Sequence, residues 1–384
     1  MSALSFAPMM HRAFAAIGLA VLGAANANAQ LQATRWQLTR DLVIGGNATE
    51  AAPLDVVNGI MIGPDGAVYV VQPTQNLFRV FESDGRFRGL LGRTGAGPGE
   101  FLAINTFGWI SDTLWVTDYV QRRVVFFDSK GRHLRTVPDP VPAGTERVRV
   151  VALLGNGRVL TRQGDPDVKE VTAKLAIQPA SGSAGRPVIE YRLVPDFLEI
   201  RRGVYVRNTF ADNPVVSVCP GGARFAVVES RAPVSDSAVY SIRRFSADGT
   251  PFGPVVAGKM KARPMPPGFV DSVQRSFARG FIRTGAISES DYMAVVHGAI
   301  PQRRFHRVFD DAMCAGDGEV WIHLAGAGTS WVILDASNTF KGSVEFPPNS
   351  QLGYATRDRV WLIQRDEFDV PSIVRYKLER TKGS

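Results

Sequence analysis

Cysteine is almost missing from this chain: Cys219 and Cys314 are the only two in 384 residues. No paired Cys-x-x-Cys metal or redox site can be built from them. Lysine is scarce as well, 8 residues against 36 arginines. The arginines alternate with acids along the whole sequence, so the formal charge of +8 forms no basic helix and no patch interleaved with aromatics. That pattern argues against nucleic acid as a partner and reads as base composition. His-Glu-x-x-His, Gly-x-Ser-x-Gly and Walker sequences are absent, so no standard motif names a reaction. Beyond the first thirty residues no apolar run is long enough to cross a bilayer.

The N-terminus carries the one marked apolar run, Ala13–Ala25, preceded by His11-Arg12 and followed by Ala27-Asn28-Ala29. A charged start, a short apolar stretch and small residues before a cleavage point define an export signal. Residues 1–29 are therefore expected to be removed, leaving a periplasmic or secreted chain from residue 30 to 384 with no membrane span. An oxidising compartment permits a bond between Cys219 and Cys314. Two buried free thiols are the alternative.

The remaining chain repeats. Val56–Phe101 holds four short apolar runs, with Asp65-Gly66 between the first pair and Asp84-Gly85 between the last. Asp-Gly between β-branched and aromatic residues marks a tight hairpin, because the turn needs φ > 0. Further units follow over Leu102–Val137, Val148–Val194, Val215–Gly258, Phe309–Phe346 and Leu352–Leu378. The last has only three strands, and Arg35–Ile44 is a strand without a neighbour. Four-stranded units of about 40–50 residues indicate a β-propeller. The sequence thus predicts an all-β, six-bladed propeller closed by its N-terminal strand.

Residues 264–301 break the period. Phe269, Val273, Phe277 and Phe281 recur every four residues, as on one face of a helix. Gly285 ends that helix, and Ser288 with Asp291 caps a second, with Tyr292, Val295, Val296 and Ala299 expected inward. A helical hairpin between blades 4 and 5 is the expectation.

The repeat resembles the NHL-type six-bladed propellers, particularly the secreted bacterial ones. The resemblance rests on Pro64-Asp65-Gly66 before Val68-Tyr69-Val70, on Val80-Phe81 with Asp84-Gly85, on Gly92-Arg93 through Gly97-Pro98-Gly99-Glu100-Phe101, and on Gly316-Asp317-Gly318 before Val320-Trp321. It implies a ring closed by the first strand. It leaves function open, since members bind proteins, glycans or RNA and some relatives are enzymes. Enzymatic relatives hold zinc with several channel histidines. Here His306 and His323 share a unit, while His133 and His297 stand apart.

Aligning the units on their first turns puts Asn58, Asn105, Arg149, Asn213 and Asp310 at corresponding positions around the channel mouth. Calcium-dependent lactonase propellers place oxygen ligands there. Arg149 opposes a cation, so a polar channel, or a site for a carboxylate or sugar, is the preferred reading. The sequence points to a monomeric recognition module for an unidentified protein, glycan or small ligand, with no cofactor. The alternatives are a calcium-type hydrolase acting at the channel and a structural protein of the cell envelope.

Overall fold

The computed structural model describes residues 35–45, 53–141, 148–164, 171–182, 185–194, 197–201, 204–208, 211–230, 237–300 and 303–380. The export signal read over residues 1–29 lies outside them. Six four-stranded antiparallel sheets follow one another. They are β2–β5 (Gly59–Ile62, Val68–Gln72, Leu77–Phe81, Phe87–Leu91) and β6–β9 (Ile104–Ile110, Thr113–Asp118, Arg123–Asp128, His133–Pro138). Next come β10–β13 (Val148–Leu153, Arg158–Gln163, Val171–Pro179, Arg186–Leu193) and β16–β19 (Val215–Val218, Arg224–Ser230, Ser237–Ser246, Val256–Lys261). The fifth is β20–β23 (Phe309–Cys314, Val320–Leu324, Ser330–Leu334, Phe340–Glu345). The sixth joins β24 (Ser350–Ala355), β25 (Arg359–Arg365) and β26 (Pro371–Glu379) to β1 (Gln37–Gly45), in the order β1-β26-β25-β24. The chain is a six-bladed β-propeller.

Closure runs from Gln37 paired with Glu379 to Gly45 paired with Ser372. The pairing covers two sheet edges at once, which otherwise template association. Trp36, just ahead of β1, is 4% exposed; it meets Trp321 of the fifth blade edge-on and lies under the Arg380 guanidinium, 4.3 Å from its ring.

The core is divided among the interfaces between blades. Met61, Tyr69, Phe78 and Phe101 meet Leu114, Val116 and Phe127 between the first two blades. Ile60, Val68 and Phe81 meet Ile44, Trp361 and Ile373 across the closure. Comparable clusters fill the other interfaces. The middle strands are therefore buried on both faces, and β3 is buried along its whole length. Apolar side chains at every position of such a strand are the expected result.

The two ends of the propeller differ. Strands one and two of each blade, and strands three and four of the first, second, fourth and fifth, are joined on one face by tight turns. Gly66 donates to Gly63, Gly85 to Glu82, Gly157 to Leu154, Gly249 to Ser246 and Gly318 to Ala315. The glycines have φ between 76° and 90°, where a Cβ is strained. The acids of these turns are fixed as well: Asp65, Asp84, Asp248 and Asp317 each accept from the backbone two residues on. The opposite face carries the connectors between blades, and these are elaborated.

Two elaborations meet. A hairpin, β14 (Phe197–Arg201) with β15 (Val204–Arg207), follows the third blade. Two helices, α1 (Phe269–Arg283) and α2 (Glu289–Ala299), follow the fourth. Val204 and Val206 of the hairpin pack with Val270, Ala278, Ile287, Tyr292, Met293 and Val296 in a cluster of their own. Ser288 caps α2 by accepting from the Asp291 N–H, as the sequence predicts. The facing of the helices differs from the sequence reading. The fully buried row of α1 is Val270, Gln274 and Ala278, one position off the phenylalanine row, and Met293 and Ile300 are buried where Ala299 is exposed. Tyr292 donates to Gln274, which brings that glutamine inside. Phe277 and Phe281 pack at the edge of the cluster, while Phe269 and Val273 look onto a cleft.

Cys219, just after β16, and Cys314, at the end of β20, are joined by a disulfide with Cα atoms 4.6 Å apart. The Cys314 N–H donates to Ser217 Oγ alongside it (2.7 Å). Arginines tie neighbouring blades. Buried Arg244 of the fourth blade donates to Gly318 O (2.6 Å), Asp335 O and Asn338 Oδ1 of the fifth. Arg123 reaches the carbonyls of Ala96, Gly97 and Glu100 in the connector from the first blade, and Arg375 reaches Ser83 O.

Candidate functional site

The helical insertion leaves and rejoins the propeller through a short two-stranded stem. Met265 N–H donates to Arg304 O and His306 N–H to Arg263 O, both at 2.9 Å. The stem fixes His306 and the arginines around it against the mouth of the fifth blade. Between α1, the stem and that blade lies a cleft of about 510 Å3. One wall is apolar: Pro264, Met265, Pro266, Phe269 and Val273. The other carries Arg303, His306, Arg307, Asp310 and His323.

Each polar residue has a definite state. His323 has Asp310 Oδ1 2.5 Å from Nδ1 and Gly328 O 2.9 Å from Nε2. Both neighbours accept, so the arrangement favours donation by both ring nitrogens, which is the imidazolium form. Burial works against that charge, but the Asp310 carboxylate and the Gly328 carbonyl outweigh it, and the pKa of His323 lies above 6.5. His306 goes the other way. Burial, with nearby Arg263, pushes it below 6.5 against the pull of Asp310. Its ring lies against Gly326 (φ 69°), where a Cβ would come within 2.5 Å of the imidazole, and edge-on to Phe269. Only glycine lets the loop pass this close.

Arg307 donates to Ala211 O (2.8 Å), Asn213 O and Asp310 O (2.9 Å), and burial pushes its pKa down. Arg303 pairs with Asp212 at 2.7 Å. These two arginines root both elaborations, since Ala211–Asn213 leads from the hairpin into the fourth blade.

The five residues aligned from the sequence have separate surroundings. Asn58 and Asn105 are exposed at the mouths of the first two blades. Arg149 donates to Tyr119 Oη (3.1 Å) and lies over its ring. Asn213 grips the Val194 backbone through both amide atoms (2.7 and 2.8 Å). Asp310 is the member that reaches the cleft, where it meets the two histidines noted as sharing a unit. Arg303 and Arg307 belong to the scattered arginines of the sequence; no local pattern marks them as cleft residues. Gln72 and Asp118, each the buried last residue of a second strand, are likewise unmarked. They accept from the incoming connector, at Asp55 N–H and at Leu102 and Ala103 N–H. A lone polar residue closing an apolar run is their only trace. Among the described residues, no three His, Cys, Asp or Glu side chains gather as a metal-holding group.

The opposed histidines give the cleft a pH dependence. The raised pKa of His323 means that its bond to Asp310 stabilises fully below pH 6.5, and that this contribution fades as pH rises through the folded value. The lowered pKa of His306 means that its neutral packing is lost as pH falls below 6.5. An NMR titration should place the His323 midpoint above 6.5, and Asp310→Asn should lower it. A wild-type midpoint at or below 6.5 contradicts the doubly donating ring.

The propeller is matched by comparison. The family DUF5128, described as a 6-bladed beta-propeller, matches residues 58–141, the first two blades. A member of the DUF4221 family from Bacteroides vulgatus aligns with a TM-score of 0.53 at 14% identity, over 91% of this chain and 99% of that one. Regucalcin of Agrobacterium tumefaciens, a calcium-binding protein, aligns at 0.41 and 11% identity, over 88% and 95%. No curated protein matches the sequence. At these identities the likeness concerns the fold alone. It supports a β-propeller in general, of which the NHL type is one form.

Proposed function

We propose that this protein is an extracytoplasmic recognition module that holds its ligand on the elaborated face of the propeller. One observation carries the reading. Two insertions more than 60 residues apart, Phe197–Arg207 and Phe269–Ala299, build a single lobe on one face, while the other face is trimmed to tight turns. Closing the ring needs neither insertion. In repeat folds such additions gather on the face that binds. The Cys219–Cys314 bond and the signal read at residues 1–29 support export, and no helix among the described residues is long and apolar enough to cross a membrane.

The test compares the two ends of the molecule. Mature protein is incubated with extract of its own cell envelope, and what it retains is identified by native mass spectrometry. Tyr205→Glu on the lobe is expected to abolish retention. Phe87→Ser, on an outer strand, is expected to leave it unchanged. Equal retention by both variants, or none at any ionic strength, rejects a recognition role for this face.

A further inference from the structure

We propose that the cleft between α1 and the fifth blade binds an amphiphilic carboxylate, with its head at Arg303, Arg307 and His306 and its apolar body along Met265, Phe269 and Val273. This names the ligand class for the face assigned above and rests on that assignment.

The charge count favours a monoanion. Arg303, Arg307 and the His323 imidazolium face Asp310 from the cleft wall and Asp212 behind it. Among the described residues, with His323 protonated, three cations against two carboxylates leave one positive charge. Arg263 near His306 and Asp311 near His323 add one group of each sign and leave the balance unchanged. Arg307 is the source of the surplus. It spends its donors on the carbonyls of Ala211, Asn213 and Asp310, which satisfy its protons without cancelling its charge. Burial makes that charge costly, and an anion in the cleft would offset the cost.

Donors are also available. Arg303 gives one N–H to Asp212, and its other N–H groups have no partner among the described residues. Neither ring nitrogen of His306 has a partner among them, and burial lowers its pKa, which favours the neutral ring with one N–H to give. A carboxylate has two oxygens for these two neighbours. An organic cation would meet like charge, and a small inorganic anion would leave the apolar wall uncovered.

That wall explains the phenylalanine row of α1. Phe277 and Phe281 are used by the lobe, but Phe269 and Val273 stay half-buried beside Met265 and the two stem prolines. Apolar side chains beside a few convergent polar groups, in about 510 Å3, are the make-up of a small-molecule site.

The probes are octanoate, octanol, octyltrimethylammonium and acetate, titrated calorimetrically into the mature protein at pH 6.5 and low salt. Octanoate should bind one-to-one, at least about tenfold tighter than octanol, since a hydrogen-bonded charge contributes about that factor, and tighter than acetate, which has no chain to bury against the apolar wall. Octyltrimethylammonium should not bind. Arg303→Gln should weaken octanoate about tenfold and leave octanol unchanged, whereas Phe269→Ala should weaken both. The head-group comparison uses wild-type protein, so it decides the matter even if a variant does not fold. Octanoate binding no tighter than octanol, binding of the cation, or no octanoate binding at millimolar concentration overturns the proposal. If octanoate fails while Tyr205→Glu still abolishes retention from the envelope, the recognition role stands and only the ligand class falls.

Discussion

Replacing Cys219 and Cys314 by serine, or reducing the bond, lowers the melting temperature by about 10 °C without changing the folded spectrum. The bridge closes a loop spanning a sequence separation of 95 residues. For a loop of that size the chain-entropy relation gives roughly 4–5 kcal/mol, acting through the unfolded state. In a large domain each kcal/mol moves the melting point by about 2–4 °C. The enclosed segment holds three strands of the fourth blade and the whole helical insertion, so the constraint bears on the part of the ring that carries the cleft. Neither sulfur contributes to a sheet, and Ser217 Oγ still receives the backbone N–H of residue 314 in the serine variant. Differential scanning calorimetry with and without reductant checks this. A shift under about 2 °C shows that the unfolded chain is already confined or that the thiols pack equally well apart.

A chain beginning at residue 46 loses more, and is expected to be recovered only as aggregates or oligomers. It lacks the ladder from Gln37 to Gly45 and the buried side chains of Trp36 and Ile44. Those two side chains alone contribute roughly 1.5–3 kcal/mol each, against a total of about 5–15 kcal/mol for an ordinary domain. The loss also bares the β26 edge, whose unpaired N–H and C=O groups recruit other chains. A synthetic peptide spanning residues 35–45 should restore a monomer when added during refolding. Trp36→Ala, which keeps the ladder, should cost about 3–5 kcal/mol. A soluble, monomeric truncated chain with wild-type stability would show that the seam is dispensable.

The ring was legible because its signals are local. Asp-Gly pairs mark turns that need φ > 0, and the units they delimit number six, the last short by the strand left over at Arg35–Ile44. The Ser288 cap is local in the same sense. The lobe was half legible: the α1–α2 hairpin showed its period, but the β14–β15 hairpin has four- and five-residue strands whose packing partners lie over 60 residues away. The phenylalanine row pointed to a face, yet that face is shared between the lobe core and the cleft. Gln274, the residue after Val273, is therefore fully buried. The five aligned mouth residues assumed a uniform register. The pairing shifts between Ile104 and Phe107 and between Phe309 and Asp311, so Asn105 and Asp310 sit in bulges. A bulge re-aims a side chain, and Asp310 turns to His323. Arg303 and Arg307 act through partners about 90 residues away in the chain, which no local pattern records.

The arginines that read as base composition have a consequence for the environment this protein tolerates. Arg123, Arg244 and Arg375 fasten neighbouring blades by gripping peptide oxygens, which do not titrate. Even Arg244, whose burial lowers its pKa to about 10, keeps its proton through mild alkali. Acidification that would silence a lysine–carboxylate network leaves these fastenings intact, so the blades stay assembled while His306 beside α1 gains its proton.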